Sequence, residues 1–196
     1  MTCKSTLVNV LLVIFLSFLY SSIFADVIIT IVDVDKKIMR VTYNLLFDQP
    51  GLTEFIFPSS GYEFASGPIK VIEVIEKNTE QKLEYEIIPA PEANTLQAVK
   101  FYFPNPIPKG GNYRVEITVE AQTNNITKDK QGRYVFTYTT SHDNAFFILP
   151  KGHAIVFCNY PVLVYERVGR TVVQVIKGRG QKELMIKTRA FKMENE

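Results

Sequence analysis

Hydrophobic and polar residues alternate along much of this chain with a period of two. The clearest examples are residues 39–47, where Met, Val, Tyr, Leu and Phe alternate with Arg, Thr and Asn, and residues 113–120, where Tyr, Val and Ile alternate with Arg, Glu and Thr. Successive side chains of a β-strand point to opposite faces, so this pattern predicts strands with one buried face. Both segments are therefore predicted to be half-buried antiparallel strands.

Further segments carry strand patterns with a less regular alternation. They are rich in β-branched and aromatic residues and are bounded by Gly, Pro, Asp or Asn, as strands usually are. We predict strands over residues 27–32, 52–57, 69–76, 83–88, 98–103, 134–139, 145–149, 154–158, 162–165, 171–176 and 184–188, with a hairpin across 78–81. After residue 25 no segment keeps a helical period for more than two turns. This spacing is typical of a β-sandwich or barrel and not of βαβ units.

Two segments separate groups of strands. Residues 104–111 contain three prolines and a glycine pair, which remove main-chain donors and permit tight turns, so they predict a corner and not a strand interior. Residues 123–132 are polar and predict either a long hairpin loop or a linker. They divide the chain into a longer amino-terminal part and a shorter carboxy-terminal part.

The Pro/Gly corner leads into Tyr113-Arg114-Val115-Glu116-Ile117. This combination resembles the entry to a late strand in immunoglobulin-like and fibronectin-type sandwiches. The resemblance covers only the corner and the strand after it, and it implies a tyrosine that hydrogen-bonds back to the preceding loop. The paired cysteines and core tryptophan of antibody domains are missing, since the chain has no Trp and a single Cys outside its first 25 residues.

We predict an all-β fold: an antiparallel immunoglobulin-like β-sandwich with an additional smaller β unit packed against it. Seven strands before residue 123 suffice for a sandwich, which takes about 100 residues. The segment after residue 132 is too small to form an independent hydrophobic core. The predicted division is residues 26–122 for the sandwich, 133–190 for the second unit and 191–196 for a tail. A single larger sandwich is the alternative.

The first 25 residues have the order of a secretory signal peptide: Lys4, an apolar run over residues 7–20, and the small residue Ala25 just before Asp26. We predict cleavage between Ala25 and Asp26. Ile23 is larger than the residue preferred at its position, and the apolar segment is long enough to span a bilayer, so an uncleaved amino-terminal anchor is the alternative. Both interpretations place the remainder outside the cytoplasm, either secreted, periplasmic or on the cell surface. Membrane contact is expected only through an uncleaved leader.

The charge balance argues against nucleic acid as a partner. The chain has 22 Lys and Arg against 20 Asp and Glu, and removal of Lys4 with the leader leaves 21 against 20, whereas phosphate binding calls for a strong basic excess. Residues 26–149 carry 12 basic and 16 acidic side chains, and residues 150–196 carry 9 and 4. The basic residues of the second part stand singly between apolar ones, which is typical of the solvent face of a strand. An anionic partner or surface is the alternative.

The cysteines predict neither a disulfide nor a catalytic site. Cys3 leaves with the leader, so Cys158 is alone and cannot form an intrachain disulfide. It lies in an apolar run, where it is expected to pack as a small hydrophobe. His153 is five residues away, and side chains five apart on a regular strand point to opposite faces, which argues against a Cys–His pair. His142, Asp143 and His153 lack the clustering and spacing of a zinc site.

Aromatic residues in predicted loops are the candidate ligand-binding residues. Tyr62 and Phe64 lie in a loop and Tyr160 precedes a proline, whereas most other aromatics alternate with polar residues, which is core spacing. Exposed tyrosines can stack on sugar rings, so these three residues predict contact with a glycan or another ligand. Asn125 begins an Asn-Ile-Thr glycosylation sequon in the polar segment.

We therefore predict a secreted or surface-tethered, non-enzymatic protein with a structural, binding or assembly role in the cell envelope. No cofactor and no metal is expected, and the expected partner is an envelope protein or a glycan. The prediction depends on polar residues lying on solvent faces while apolar residues build the core, and such folds bind partners through loops or an exposed strand edge. A carbohydrate-binding module, a periplasmic chaperone of the two-sandwich type and a hydrolase that uses Cys158 are the alternatives.

Overall fold

Strands account for the regular structure of the described residues. The computed structural model describes residues 26–57, 64–89, 97–140, 142, 144–176 and 182–190, and within them the regular elements are all strands, so the all-β prediction is confirmed. The strands are β1 (Asp26–Asp33), β2 (Ile38–Phe47), β3 (Glu54–Phe57), β4 (Lys70–Glu76), β5 (Gln81–Lys82), β6 (Tyr85–Pro89), β7 (Gln97–Tyr102), β8 (Tyr113–Gln122), β9 (Ile126–Lys128), β10 (Tyr134–Thr140), β11 (Asn144–Ile148), β12 (His153–Cys158), β13 (Val162–Arg167), β14 (Arg170–Ile176) and β15 (Lys182–Ala190).

The strands form three sheets. An eight-stranded sheet has the order β13-β14-β11-β1-β2-β8-β4-β5, a four-stranded sheet the order β12-β15-β10-β9, and a three-stranded sheet the order β3-β7-β6. The described pairs are antiparallel except for β1 with β11, which run parallel from Asp26 opposite Asn144 to Thr30 opposite Ile148. The large sheet is therefore mixed, whereas the sequence predicted antiparallel strands throughout. An alternating pattern fixes which face of a strand is buried but not the direction of its neighbour.

The large sheet crosses the predicted boundary between the two units. Strands β1, β2, β4, β5 and β8 come from residues 26–122, and β11, β13 and β14 come from residues 133–190. The second unit thus extends the sheet of the first through the parallel pairing of β1 with β11, and it supplies β10, β12 and β15 to the four-stranded sheet.

The polar segment over residues 123–132 is a hairpin and not a linker. It contains β9, which pairs with β10 from Lys128 opposite Tyr134 to Ile126 opposite Phe136. Ile126 is buried, and the carboxylate of Asp129 accepts hydrogen bonds from the turn that joins the two strands. This strand is short because only Ile126 in it has a side chain for the core.

The predicted hairpin across residues 78–81 is shorter than expected. β4 pairs with β5 over Ile75–Lys82 and Glu76–Gln81 only, and the chain then passes to β6, which pairs with β7 in another sheet. The strand predicted over residues 83–88 corresponds to β6, and β5 is an additional short strand before it, so the structure describes eight strands before Thr123 where the sequence predicted seven.

A single core lies between the three sheets, and Tyr43 of β2 reaches both smaller ones. Its ring centroid is 4.8 Å from that of Phe57 in the three-stranded sheet. Its hydroxyl is 2.9 Å from the hydroxyl of Tyr138 in the four-stranded sheet. All three residues are buried. The smaller sheets therefore both pack on the buried face of the large sheet.

Aromatic rings fill one end of this core. Phe47 packs against Phe55, Phe101 and Phe103 with centroid distances of 4.7, 5.7 and 5.3 Å. The ring of Tyr113 stacks on Phe103 at 5.1 Å. The tyrosine after the Pro/Gly corner thus acts as part of an aromatic cluster.

The opposite face of the large sheet carries polar side chains. Arg40 and Glu120 face each other across β2 and β8 at 2.7 Å. Beside them the hydroxyls of Thr42 and Thr118 are 3.0 Å apart. Cross-strand pairs of this kind stabilise a sheet modestly and hold its register.

Glu76 is a buried carboxylate that organises the turn between β4 and β5. Its side chain accepts hydrogen bonds from the N–H of Asn78 at 3.1 Å, the N–H of Thr79 at 2.8 Å and the Thr79 hydroxyl at 2.6 Å. Burial raises the pKa of Glu76, but these hydrogen bonds outweigh it and the net pKa lies below the ordinary value. The folded protein therefore favours the ionised form of this side chain.

Glu76→Gln should lower the free energy of unfolding at pH 7 by about 1–2 kcal/mol, because it replaces charge-assisted hydrogen bonds to the turn by weaker ones. A group with a lowered pKa stabilises the fold above its ordinary value, and that stability is lost as the pH falls through the folded value. The difference from the wild type should therefore shrink below the ordinary value of 4.5. Urea unfolding over a pH series measures this. Glu84→Gln, at an exposed position nearby, is the control, and an equal loss in both variants would contradict the assignment.

Candidate docking surface

The hairpin of β13 and β14 turns on two residues, Val168 and Gly169. Arg167 pairs with Arg170 across the turn, and φ is 52° at Val168 and 67° at Gly169. Positive φ at both central residues is what a type I′ turn requires. Glycine adopts this conformation freely, but a β-branched valine is an outlier there and costs roughly 1–3 kcal/mol. The tip of this hairpin therefore holds an apolar residue under backbone strain.

The apolar side chains of this hairpin face solvent. Val168 is 93% exposed, and Leu163, Val164 and Tyr165 are 57%, 49% and 42% exposed. Because successive side chains alternate, β13 is exposed on both faces. β13 is also an end strand of the eight-stranded sheet. We refer to Leu163, Val164, Tyr165 and Val168 as the apolar hairpin.

The base of the hairpin is fixed to the rest of the protein by Arg170. Its guanidinium donates to the carbonyl of Leu149 and to the carbonyl of Ile31, both at 2.8 Å. Burial, and secondarily the charge of Arg40, lowers the pKa of Arg170. Next to it the hydroxyl of Thr171 donates to the main chain of β12 at 2.9 Å. These contacts hold the hairpin in place although its outer strand has a single neighbour among the described strands.

A second exposed apolar pair lies on β12, at a β-bulge. The register with β15 shifts between Ile155 and Phe157, and Val156 and Phe157 are 46% and 45% exposed. The amine of Lys187 lies 5.5 Å from the centroid of the Phe157 ring, a cation–π distance. The extra residue changes which side chains share a face of the strand.

The bulge overturns the expectation that His153 and Cys158 point to opposite faces. With one extra residue between them the alternation places both on the same side, and Cys158 packs against the core. The imidazole Nδ1 of His153 lies 3.2 Å from the hydroxyl of Thr188. Burial lowers the pKa of His153, and burial raises the pKa of the Cys158 thiol. Both groups are thus neutral at pH 7, whereas an activated pair needs a thiolate beside an imidazolium.

The predicted ligand-binding aromatics have different positions. Phe64 is 3% exposed, and its ring lies 6.3 Å from that of Tyr138 inside the core. The expectation of an exposed ring there is wrong, because the side chain of Phe64 packs in the core. Tyr160 is half-buried against the core, and Tyr62 lies outside the described residues. Ligand binding by these residues stays a prediction.

The sequon and the predicted cleavage site lie at opposite ends of the amino-terminal part. Asn125 is half-buried, and its N–H donates to the hydroxyl of Thr123 at 3.0 Å. Its carbonyl accepts from the N–H of Thr137 at 3.0 Å. Asp26 is half-buried and begins β1, whereas Ala25 and the leader lie outside the described residues. Glycosylation and cleavage stay predictions.

The histidines do not assemble a metal site in the part of the chain that is described. His142 is buried with its ring centroid 6.1 Å from that of Tyr43, and Asp143 lies outside that part. No group of three or more His, Cys, Asp or Glu side chains there could hold a metal ion. The same residues contain no helix long and apolar enough to cross a membrane.

The apolar hairpin is not among the candidate residues predicted from the sequence. Residues 162–165 are a continuous apolar run, which predicts a strand but not its exposure. Two signals in the sequence mark it. The run lacks the alternation of a half-buried strand, and it is followed by a Val-Gly pair between two arginines, at a position where hairpins favour Asn-Gly or Asp-Gly.

Comparison with known proteins identifies a similar fold but no family. No protein-family model matches the sequence, and no curated protein matches it. Among solved structures, the M1 zinc metallopeptidase from Deinococcus radiodurans is similar with a TM-score of 0.51 and 10% sequence identity over 83% of this chain. A mutant of a two-domain M1 zinc metallopeptidase bound to L-tryptophan gives a TM-score of 0.51 and 12% identity over the same share. The chain spans 41% of the length of each. At these identities the likeness concerns the fold alone.

The protonation of Cys158 predicts a slowly reacting thiol. At pH 7 we expect iodoacetamide to alkylate Cys158 more slowly than free cysteine, because burial keeps the thiol protonated and restricts access to it. Peptide mass spectrometry measures the rate at this residue alone and separates it from Cys3. Protein unfolded in urea is the control and should react as free cysteine does. Faster reaction in the folded protein would instead indicate an activated nucleophile.

Proposed function

We propose that this chain is a non-enzymatic β-sandwich module that works outside the cytoplasm and acts by binding a protein partner through the apolar hairpin. The observation that carries the proposal is the exposure of Leu163, Val164, Tyr165 and Val168 on an end strand of the large sheet. A partner that covers these side chains removes apolar surface from water, which is the dominant favourable contribution to most protein association. Exposed apolar groups that are clustered in this way commonly mark interaction sites.

Two other sheet edges of the same protein, β5 and β6, support this interpretation. Natural proteins protect sheet edges with short strands, charged residues or proline. β5, at the far end of the large sheet, has only two residues and includes Lys82. β6, an edge of the three-stranded sheet, ends in Pro89. Between Val162 and Tyr165, β13 has none of these features, so its exposure favours a binding role.

The proposed location rests on the leader pattern of the first 25 residues. β1 begins at Asp26 and already pairs with Asn144 at that residue. Cleavage after Ala25 would therefore keep every described residue of this central strand in the mature chain.

Amino-terminal sequencing of exported protein tests the location. The expected result is a mature chain that starts at Asp26 and is found outside the cytoplasm. A chain that begins at Met1 and fractionates with the cytoplasm would contradict the proposal. A chain that begins at Met1, stays with the membrane fraction and is cleaved by protease added outside the cell would support the anchored alternative.

Cross-linking in intact cells, with a tagged full-length chain in its own host, tests the binding role. Leu163→Ser combined with Tyr165→Ser should reduce the yield of cross-linked partner by about tenfold, because both exposed apolar side chains of one face of β13 are lost. Ile56→Ser combined with Ile87→Ser is the matched control, since these residues are also exposed but lie in the three-stranded sheet. Equal yields from both double variants would contradict a role for the apolar hairpin.

A second candidate follows from the fold. The similar solved structures are M1 zinc metallopeptidases, one of them described as having two domains, and this chain spans less than half of their length. The second candidate function is therefore that of a β domain that works beside a peptidase. Hydrolysis of a Tyr-Ser-Ala peptide, which one of those structures holds as substrate, tests for peptidase activity in the chain itself. Zinc-dependent hydrolysis would favour an enzymatic role, and its absence would count against peptidase activity in the chain itself.

A further inference from the structure

The main-chain groups of β13 point alternately toward β14 and away from it. In an antiparallel pair every second residue exchanges hydrogen bonds with the residue opposite. The N–H of Ile176 donates to the carbonyl of Pro161 at 3.4 Å, and the register continues unbroken along the hairpin, so the odd-numbered residues of β13 bond to β14. The N–H and C=O groups of Val162, Val164 and Glu166 therefore point away from β14. Within the described ranges no strand pairs with that side.

We propose that this free side pairs with β13 of a second copy of the chain, antiparallel, with a two-fold axis at Val164. The inference rests on the proposed function, because it takes the same hairpin as the binding surface and names its occupant. The free groups are spaced symmetrically about Val164. In this register Val164 lies opposite its own equivalent and Val162 lies opposite Glu166. Each of these pairs can exchange two main-chain hydrogen bonds.

The side chains match in the same register. Leu163 of one copy lies opposite Tyr165 of the other, and the two-fold axis makes this pair twice. Pairs of aromatic and aliphatic side chains across antiparallel strands stabilise a sheet. Both residues are largely exposed in the single chain, so pairing would remove apolar surface from water. An interface in which the same patch meets itself is the form that two-fold dimers take.

The charges are also compatible with this register. Arg167 of one copy falls opposite Pro161 of the other, and the two Arg167 side chains lie at opposite ends of the paired stretch. Glu166 meets Val162, which is apolar. No like charges therefore stand directly opposite each other, an arrangement that would destabilise the pair. A register shifted toward the turn would bring the Glu166 and Arg167 residues of both copies together at the centre of the pairing.

The far end of the large sheet limits the assembly to two chains. β5 consists of Gln81 and Lys82, both exposed, and so short and charged an edge resists strand addition. The sheet as described therefore has β13 as its open end. Pairing of one open end with another uses both, which gives a closed dimer and not a fibre.

Sedimentation equilibrium of the exported protein over a concentration series tests the inference. The mean mass should rise with concentration from that of one chain toward twice that value. Val164→Pro removes an N–H that points outward and leaves the hydrogen bonds between β13 and β14 intact, so association should weaken by about tenfold or more.

Ile87→Pro is the matched control. Tyr102 donates its N–H to the carbonyl of Glu84 at 3.0 Å, so by the same alternation the N–H of Ile87 points outward from the edge strand β6. Ile87 is 43% exposed and Val164 is 49% exposed. Association should stay within about twofold of the wild type in this variant, because its edge is not the one that pairs.

A second pair of variants keeps the test independent of proline. Leu163→Lys combined with Tyr165→Lys should abolish the dimer, because the register brings lysines opposite each other. Leu163→Glu combined with Tyr165→Lys should restore it, because the same register now brings opposite charges together. Restoration in the second variant and loss in the first would support the register.

A wild-type protein that stays monomeric at all concentrations would overturn the inference, as would a dimer that both Val164→Pro and the double-lysine variant leave intact. The proposed function fails by a different result, namely cross-linking to other proteins that does not depend on Leu163 and Tyr165. A monomer that loses its cross-linked partner in the serine double variant would therefore refute the dimer and retain the binding role.

Discussion

The parallel pairing of β1 with β11 is the interaction on which the rest of the structure depends. β1 lies in the middle of the large sheet, with β2 on one side and β11 on the other. Its inward side chains Val27, Ile29 and Ile31 are completely buried. A parallel neighbour needs a long connection, and here that connection includes most of the amino-terminal part. The two parts of the chain share a sheet and a core because this pair joins them.

The same pairing positions the apolar hairpin. β11 pairs with β14, and β14 pairs with β13, so the position of the outermost strand depends on the pairing of β11 with β1. Arg170 adds a direct link, because its guanidinium binds the carbonyl of Ile31 at the end of β1. The strained φ of Val168 persists because the register on both sides of the turn leaves only two residues to reverse the chain. The central strand β1 and the exposed tip of the hairpin are therefore connected through continuous strand pairing and the hydrogen bond of Arg170.

The sequence predicted individual strands well and their partners poorly. β2 and β8 were found within two residues of their ends, because their side chains alternate regularly and the buried face follows from that alternation. The parallel neighbour of β1 and the division of the strands among three sheets depend on contacts between distant residues, which a local pattern does not contain. The bulge in β12 reversed the expected faces of His153 and Cys158 for the same reason, since one extra residue leaves no clear mark in an apolar run. Phe64 shows the limit for loops, because a loop residue is buried or exposed according to what the loop packs on.

The sequence does not distinguish an exposed apolar strand from a buried one. An apolar run on an end strand can lack a covering layer, and the position of a strand in its sheet becomes known only with the topology. β13 is the strand where this difference matters most, because from Leu163 onward its side chains are exposed on both faces and, among the described strands, one of its edges is unpaired. A rigid hairpin loses little conformational freedom when it binds, so less of the energy from covering its side chains is spent on ordering it. The hydrogen bonds of Arg170 therefore hold the hairpin in position, and the exposed side chains of Leu163 and Tyr165 on it supply the apolar surface that a partner covers.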